Sequence, residues 1–231
     1  MEPGRARQIA SGVAFLAVCA IAVLIVISQA GGGSGGDTKL EDVGVVEQQL
    51  HGIPQHGTVL GDPRAKVKVI EYGDLQCPVC KGFSESTAPE LIDRVVRTGT
   101  ASYDFRQWPV IGDPPRTQST LAAKAALAAS EQGRYWNYVE LFYRNQGTED
   151  SGYVTDPFMT AIAKGAGVPD IARWNRDRRS QKWNAALART DAEAGKLGFG
   201  GTPSFVVEGP GGQRTVAPSL DDIESAIQAV K

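Results

Sequence analysis

The residues best equipped for chemistry lie in one stretch, Val67-Lys68-Val69-Ile70-Glu71-Tyr72-Gly73-Asp74-Leu75-Gln76-Cys77-Pro78-Val79-Cys80, which holds two of the three cysteines in the chain. It reads as a buried strand, a tight turn and two cysteines opening a helix. A helix N-terminus presents unpaired backbone N–H groups and about half a positive charge, and both favour thiolate over thiol. The thiolate is the reactive form of cysteine. Pro78 suits the first helical position, where its φ is already helical and its missing N–H costs no intrahelical bond. Two other chemistries compete for the pair. His51 and His56 could complete a four-ligand zinc site with Cys77 and Cys80, but Gly52 and Pro54 break any helix that would align the two histidines. A module that holds unfolded chains without turnover would have no need of the second cysteine.

The elements that must position this pair follow from periodicity. Lys66 to Tyr72 is a central strand, apolar enough for a sheet covered on both faces. The helix opening at Cys77 is expected to run through Phe83 and Leu91 to about Arg97, kinked at Pro89 and ended by Gly99. Ala101 to Trp108 alternates polar and aromatic residues and reads as a second, parallel strand, giving a strand-helix-strand unit. After the Pro-rich turn from Pro109 to Arg116 the pattern becomes helical. Leu121, Ala125 and Ala128 share one face, Tyr135, Val139 and Phe142 another, and Asp156-Pro157 reads as an N-cap with the first helical residue. Short and long helices around Ile171–Trp174 and Trp183–Leu197 follow, and the aromatics of this region read as core. Strand signals return at Ser204–Glu208, turn at Gly209–Gly212 and pair with Gln213–Val216. Ser219 then caps a final helix lined by Ile223, Ile227 and Val230.

Charge and composition narrow the partners. The 231 residues carry 24 Lys and Arg against 26 Asp and Glu, a formal net charge of −2, so nothing favours nucleic acid. Near the start, Ile9 to Ile27 is an uncharged apolar run that, at ~1.5 Å per residue, roughly matches a ~30 Å hydrocarbon core. Arg5 and Arg7 precede it and predict a single-pass anchor with the rest of the chain outside the cytoplasm. The rival reading is a signal peptide cleaved after Ala30. Cys19, inside the run, reads as a small apolar residue. Residues 1–30 are thus the cytoplasmic tip and transmembrane segment. Residues 31–57 hold the Gly31–Gly36 tether and a short helix marked by Val43, Val46 and Leu50. Residues 58–231 form the globular domain, led by a short strand at Thr58–Leu60, with a helical insert at about 115–198. Disulfides persist outside the cytoplasm. Closing so short a loop constrains little of the unfolded chain, so the pair serves reactivity before stability.

Three separated features, taken in order, carry a family resemblance: Val69-Ile70-Glu71-Tyr72 ahead of Cys77-Pro78-Val79-Cys80, a helical insert after the second strand, and Gly201-Thr202-Pro203-Ser204-Phe205 before the third. Over residues ~55–231 the chain resembles a DsbA-like thioredoxin-fold thiol-disulfide oxidoreductase in its membrane-anchored bacterial form. The resemblance implies an α/β thioredoxin fold with an inserted helical subdomain, preceded by an N-terminal transmembrane segment. It also implies an exposed nucleophile at Cys77, a more buried resolving cysteine at Cys80, and a cis-proline at Pro203 facing them. Thr202, Pro203, Pro78 and Val79 are expected to border the substrate, and Glu71 to be a buried acid that handles the proton of Cys80. No cofactor beyond the Cys77–Cys80 disulfide is implied. The partners would be extended, cysteine-containing exported proteins and a membrane enzyme, quinone-linked by analogy, that reoxidises the pair. The alternative within the fold is a membrane-tethered reductase, as in cytochrome maturation, or an isomerase; residues 37–57 are too short for the dimerisation domain of an exported isomerase. The best-studied exported oxidant has a histidine where this chain has Val79. Valine neither donates a hydrogen bond nor carries charge, so the Cys77 pKa is expected below the free value but short of the family's extreme.

Overall fold

Val67, Val69 and Ile70, all buried, place the strand that leads to the cysteines at the centre of the sheet, with Lys68 at its start the one half-buried residue of the strand. The computed structural model describes residues 39–112 and 117–231. The apolar run 9–27, the tether 31–36 and part of the Pro-rich turn lie outside the described residues. Helix α1 (Val43–Leu50) comes first, followed by β1 (Gln55–His56), β2 (Val59–Leu60) and β3 (Lys68–Gly73). Helix α2 (Pro78–Ser86) opens at the cysteines, α3 (Ala88–Leu91) continues through one π-helical turn at Ile92–Val96, and β4 (Ser102–Gln107) returns to the sheet. Five helices intervene: α4 (Thr117–Ser130), α5 (Tyr135–Arg144), α6 (Asp156–Gly165), α7 (Ile171–Asp177) and α8 (Lys182–Lys196). The chain closes with β5 (Ser204–Gly209), β6 (Gly212–Val216) and α9 (Leu220–Val230).

The strand order is β1-β2-β4-β3-β5-β6, with β3 parallel to β4 and antiparallel to β5. The predicted order of strand-helix-strand, helical insertion, strand-strand-helix is therefore observed. Pairing sets the faces of the sheet. Glu71 lies between Phe105 on β4 and Phe205 on β5, so its side chain shares their face, the one covered by α2 and α5. Ile70 and Tyr72 point the other way, into a smaller cluster with Trp108, Val206 and Ala194.

Several local expectations change. The chain before β3 forms a hairpin of two-residue strands, with His56 in β1 and His51 capping α1; elements so short leave no period to read. The helix after Cys77 is broken at Thr87 rather than bent, because Pro89, lacking an N–H, is accommodated in the first turn of a new segment. The N-cap of α6 is Thr155, not Asp156: its hydroxyl accepts the Phe158 N–H at 3.3 Å, leaving Asp156 and Pro157 inside the first turn. Helix α5 is buried from Tyr135 to Tyr143 rather than along one stripe. It packs against α1, α2, α4 and α6, and a helix enclosed on every side has no solvated face to keep polar.

The end of β3 is tightly filled. A Cβ at Gly73 would come within 2.5 Å of the Phe105 ring and 3.3 Å of the Glu71 Oε1. Gly73→Ala is expected to destabilise the protein by ~1–3 kcal/mol through overpacking. Urea denaturation of the purified variant measures this, and an unchanged midpoint would show that the Phe105 ring yields without cost.

Candidate active site

Cys77 is the N-cap of α2, with extended backbone dihedrals, and its Sγ accepts the Cys80 N–H at 3.4 Å. The turn that delivers it is fixed by Asp74. The Asp74 carboxylate accepts from the backbone N–H groups of Gln76 at 2.9 Å and of Val110 and Ile111 at 2.8 Å each, and from the Ser119 hydroxyl at 2.8 Å. The Asp74 carbonyl accepts the Cys77 N–H at 2.9 Å. From the insertion, Gln146 donates to the carbonyls of Leu75 at 2.7 Å and Cys77 at 3.2 Å. The redox turn is thus clamped from three separate parts of the chain.

The Thr202–Pro203 bond is cis, and the Thr202 carbonyl lies 3.4 Å from the Cys77 Sγ. The structure brings Cys77, Pro78, Val79, Cys80, Thr202 and Pro203 to one end of the sheet. Cys77, expected to be exposed, is only 4% exposed, because its side chain folds over the first turn of α2 and under the Thr202 carbonyl. Pro78 and Val79 are the exposed members of the motif, Val79 at 61%. Both cysteines are free thiols in this state.

Their acidities diverge. The Cys77 pKa is lowered to about 6, first by the hydrogen bond from the Cys80 thiol, then by Thr202 and the Cys80 and Val79 backbone N–H groups; burial opposes the change. The Cys80 pKa is pushed well above the ordinary thiol value, chiefly by burial, then by its hydrogen bond to Cys77 and the proximity of Glu71. Glu71, 3% exposed, is pushed up to about 8 by burial, with Glu140 and Cys77 adding to the rise and a hydrogen bond from the Tyr103 hydroxyl opposing it. Among the described residues no hydrogen bond joins Glu71 to Cys80. None of the described residues forms a group of three or more His, Cys, Asp or Glu placed to hold a metal ion; His51 caps the C-terminus of α1 and His56 lies in β1. Sequence reasoning assigned no role to Asp74, Gln146 or Glu140. Asp74 stood inside the motif, whereas the other two are called to the site by tertiary packing alone.

The family model described as Thioredoxin matches residues 55–229. The probable disulfide bond formation protein D of Bacillus cereus is 29% identical over 172 residues, covering 73% of this chain and 76% of the relative. Two crystal structures share the fold. BdbD from Bacillus subtilis, in its oxidised form, superposes with a TM-score of 0.65 at 21% identity, covering 76% of this chain and 95% of that one. DsbA from Chlamydia trachomatis superposes with a TM-score of 0.62 at 22% identity, covering 74% and 89%. The chain belongs to the thioredoxin family. Within it, the protein is a DsbA-like thiol-disulfide oxidoreductase.

Proposed function

We propose that the protein is an extracytoplasmic dithiol oxidase that passes the Cys77–Cys80 disulfide to cysteine-containing exported proteins. The observation that carries this reading is the divergence of the two thiols, one pulled down to about 6 and the other pushed well above its ordinary value. A substrate thiolate attacks the Cys77 Sγ; a substrate–Cys77 disulfide forms, the Cys77–Cys80 bond breaks, and the electron pair leaves on Cys80. Buried Cys80 holds charge poorly and takes a proton, which Glu71 supplies through a bridging water. A second substrate thiolate then attacks the substrate sulfur of the mixed disulfide, and Cys77 leaves as a stabilised thiolate. The substrate loses two electrons and the protein gains them. Thr202 offers its backbone beside Cys77 to an extended substrate segment, with Pro203, Pro78 and the exposed Val79 forming the border.

The run Ile9–Ile27 supports a membrane tether, with the domain standing off on Gly31–Gly36, and mass spectrometry of the mature N-terminus separates an anchor from cleavage after Ala30. Reoxidation falls to a membrane enzyme, quinone-linked by family analogy. A second reading, a membrane-fed reductase, is favoured by one observation: a Cys77 value of about 6 lies nearer to ~7, as in thioredoxin, than to ~3.5, as in DsbA. The equilibrium reduction potential against glutathione decides between them. The expected value is above about −200 mV yet below about −120 mV, since structural disulfides of exported clients lie below about −300 mV and accept oxidation downhill. A value near about −270 mV would establish the reductase, and one as high as about −120 mV would contradict the weaker thiolate stabilisation that Val79 implies.

A further inference from the structure

Gln146 stands just past the end of α5, yet its side-chain amide is spent on the redox turn. An amide NH2 has two hydrogens to give, and the Gln146 Nε2 donates to the Leu75 carbonyl at 2.7 Å and to the Cys77 carbonyl at 3.2 Å. Its neighbours reach the same place. The Tyr143 hydroxyl donates to the Asp74 carbonyl at 3.2 Å, and Lys81, one turn beyond Cys77, returns a bond to the Tyr143 carbonyl at 2.7 Å. Three of the four carbonyls from Asp74 to Cys77 thus take a side-chain donor from the end of α5. The strand-helix-strand unit that carries the cysteines supplies none of these three; the helical insertion does.

Pro78 gives the bond to the Cys77 carbonyl its weight. The peptide plane between Cys77 and Pro78 has no N–H, so only its carbonyl can hold it, and that carbonyl accepts from the Lys81 N–H at 3.1 Å and from Gln146. The tilt of this plane is the ψ of Cys77, an extended 119°, and the same dihedral makes Cys77 an N-cap whose Sγ accepts the Cys80 N–H at 3.4 Å. The plane after Leu75 is held in the same way, and among the described residues Gln146 is the only partner of the Leu75 carbonyl. We propose that Gln146 is a positioning residue for the thiol exchange: by holding the peptide planes on either side of Gln76 and Cys77, its amide keeps the Cys77 sulfur on the first N–H groups of α2 as the disulfide opens. The inference rests on the nucleophilic role given to Cys77 above. Donors already in place when charge develops cost no reorganisation, so a held turn favours the thiolate and, with it, the reduced form. Gln146 acts only through Cys77; the titratable groups that bear on that thiol, Cys80 on α2 and Glu71 on β3, make no bond with it among the described residues. On this account the insertion, through one glutamine, tunes how strongly the pair oxidises.

The test compares the native full chain with Gln146→Leu, which keeps most of the bulk and loses both donors, and Gln146→Ala, which loses the donors and adds nothing. The ultraviolet absorbance of the Cys77 thiolate is followed against pH, and the equilibrium with glutathione is measured at pH 7. Both variants are expected to make Cys77 about threefold less acidic or more. The glutathione equilibrium should move by about threefold toward the oxidised protein, which is ~15 mV for a two-electron couple. A residue that merely stabilised the fold would shift the unfolding midpoint and leave both values unmoved. Gln146 is half-buried at a helix end, and if Gln146→Leu does not fold, Gln146→Ala decides alone. A native Cys77 that titrates near 6 beside unchanged variants overturns the inference and leaves the role of Cys77 standing. A native Cys77 that titrates as an ordinary thiol removes the reading beneath it, a different and recognisable failure.

Discussion

Cys77→Ser reduces oxidation of a peptide dithiol to the uncatalysed rate; Cys80→Ser, which has no disulfide to donate, still attacks a client disulfide in the reverse direction but stops at the mixed disulfide. The asymmetry follows from position along α2. Cys77 is the N-cap, with its sulfur on the helix N–H groups and its thiolate favoured down to about 6. Cys80, one turn in, is 0% exposed and its thiol is held protonated well above the ordinary range. Without Cys77 the remaining sulfur is neither reachable nor ionised, and attack requires a thiolate. Without Cys80 nothing inside the protein displaces the captured substrate. A non-reducing gel after incubation of each reduced variant with a disulfide-bonded client separates the cases, since thiolate attack on the client disulfide forms the mixed disulfide and releases the second client sulfur as a thiolate. A mixed disulfide formed by the Cys77→Ser protein would place the nucleophile at Cys80 and reverse the assignment.

The same residues show how far the sequence alone could be read. The strand expected at Lys66–Tyr72, the helix opening at Cys77 and the hairpin turn at Gly209–Gly212 are local: period, capping and turn chemistry lie within a few residues, and each appears within two residues of where it was expected. What failed depends on segments that meet only in the folded chain. Cys77 was expected to be exposed on the strength of the family resemblance, but the Thr202 carbonyl, 125 positions away, closes over it. The break at Thr87 replaced a kink because Pro89 starts a new turn, which periodicity does not distinguish. Glu71 has no local sign of its neighbours. Register alone sets it between Phe105 and Phe205. Gln146, which clamps the redox turn from 69 positions beyond Cys77, is an ordinary helix-end glutamine to any sequence rule.

The reduced protein is expected to gain stability over the oxidised protein as pH rises from 6 to 9. The folded Cys77 pKa, about 6, lies below that of a thiol in the unfolded chain, so the folded state releases its proton first. A depressed folded pKa contributes stability that is complete above the unfolded value and is lost as pH falls through 6. The disulfide form has no thiol to ionise, and the contribution vanishes there. Each pKa unit corresponds to ~1.4 kcal/mol, so the reduced-minus-oxidised difference in unfolding free energy should grow by about 1.4 kcal/mol up to pH 7 and about 3 kcal/mol by pH 9. Cys80 trims the upper end, since its thiol stays protonated when folded and ionises when unfolded. Glu71 and Glu140, both raised by burial, lower stability with rising pH in either redox state and largely cancel in the difference. The disulfide, by constraining the unfolded chain, offsets the comparison by a constant, so the slope carries the information rather than the sign at any one pH. Because ~1.4 kcal/mol equals ~30 mV for a two-electron couple, the thiolate at pH 7 raises the potential by only about that much over an unperturbed dithiol. Any further oxidising power must come from strain or solvation of the closed disulfide. Guanidinium unfolding of both redox forms at pH 5, 7 and 9 reads the slope, and a flat difference would remove the stabilised Cys77 thiolate from the account of this site.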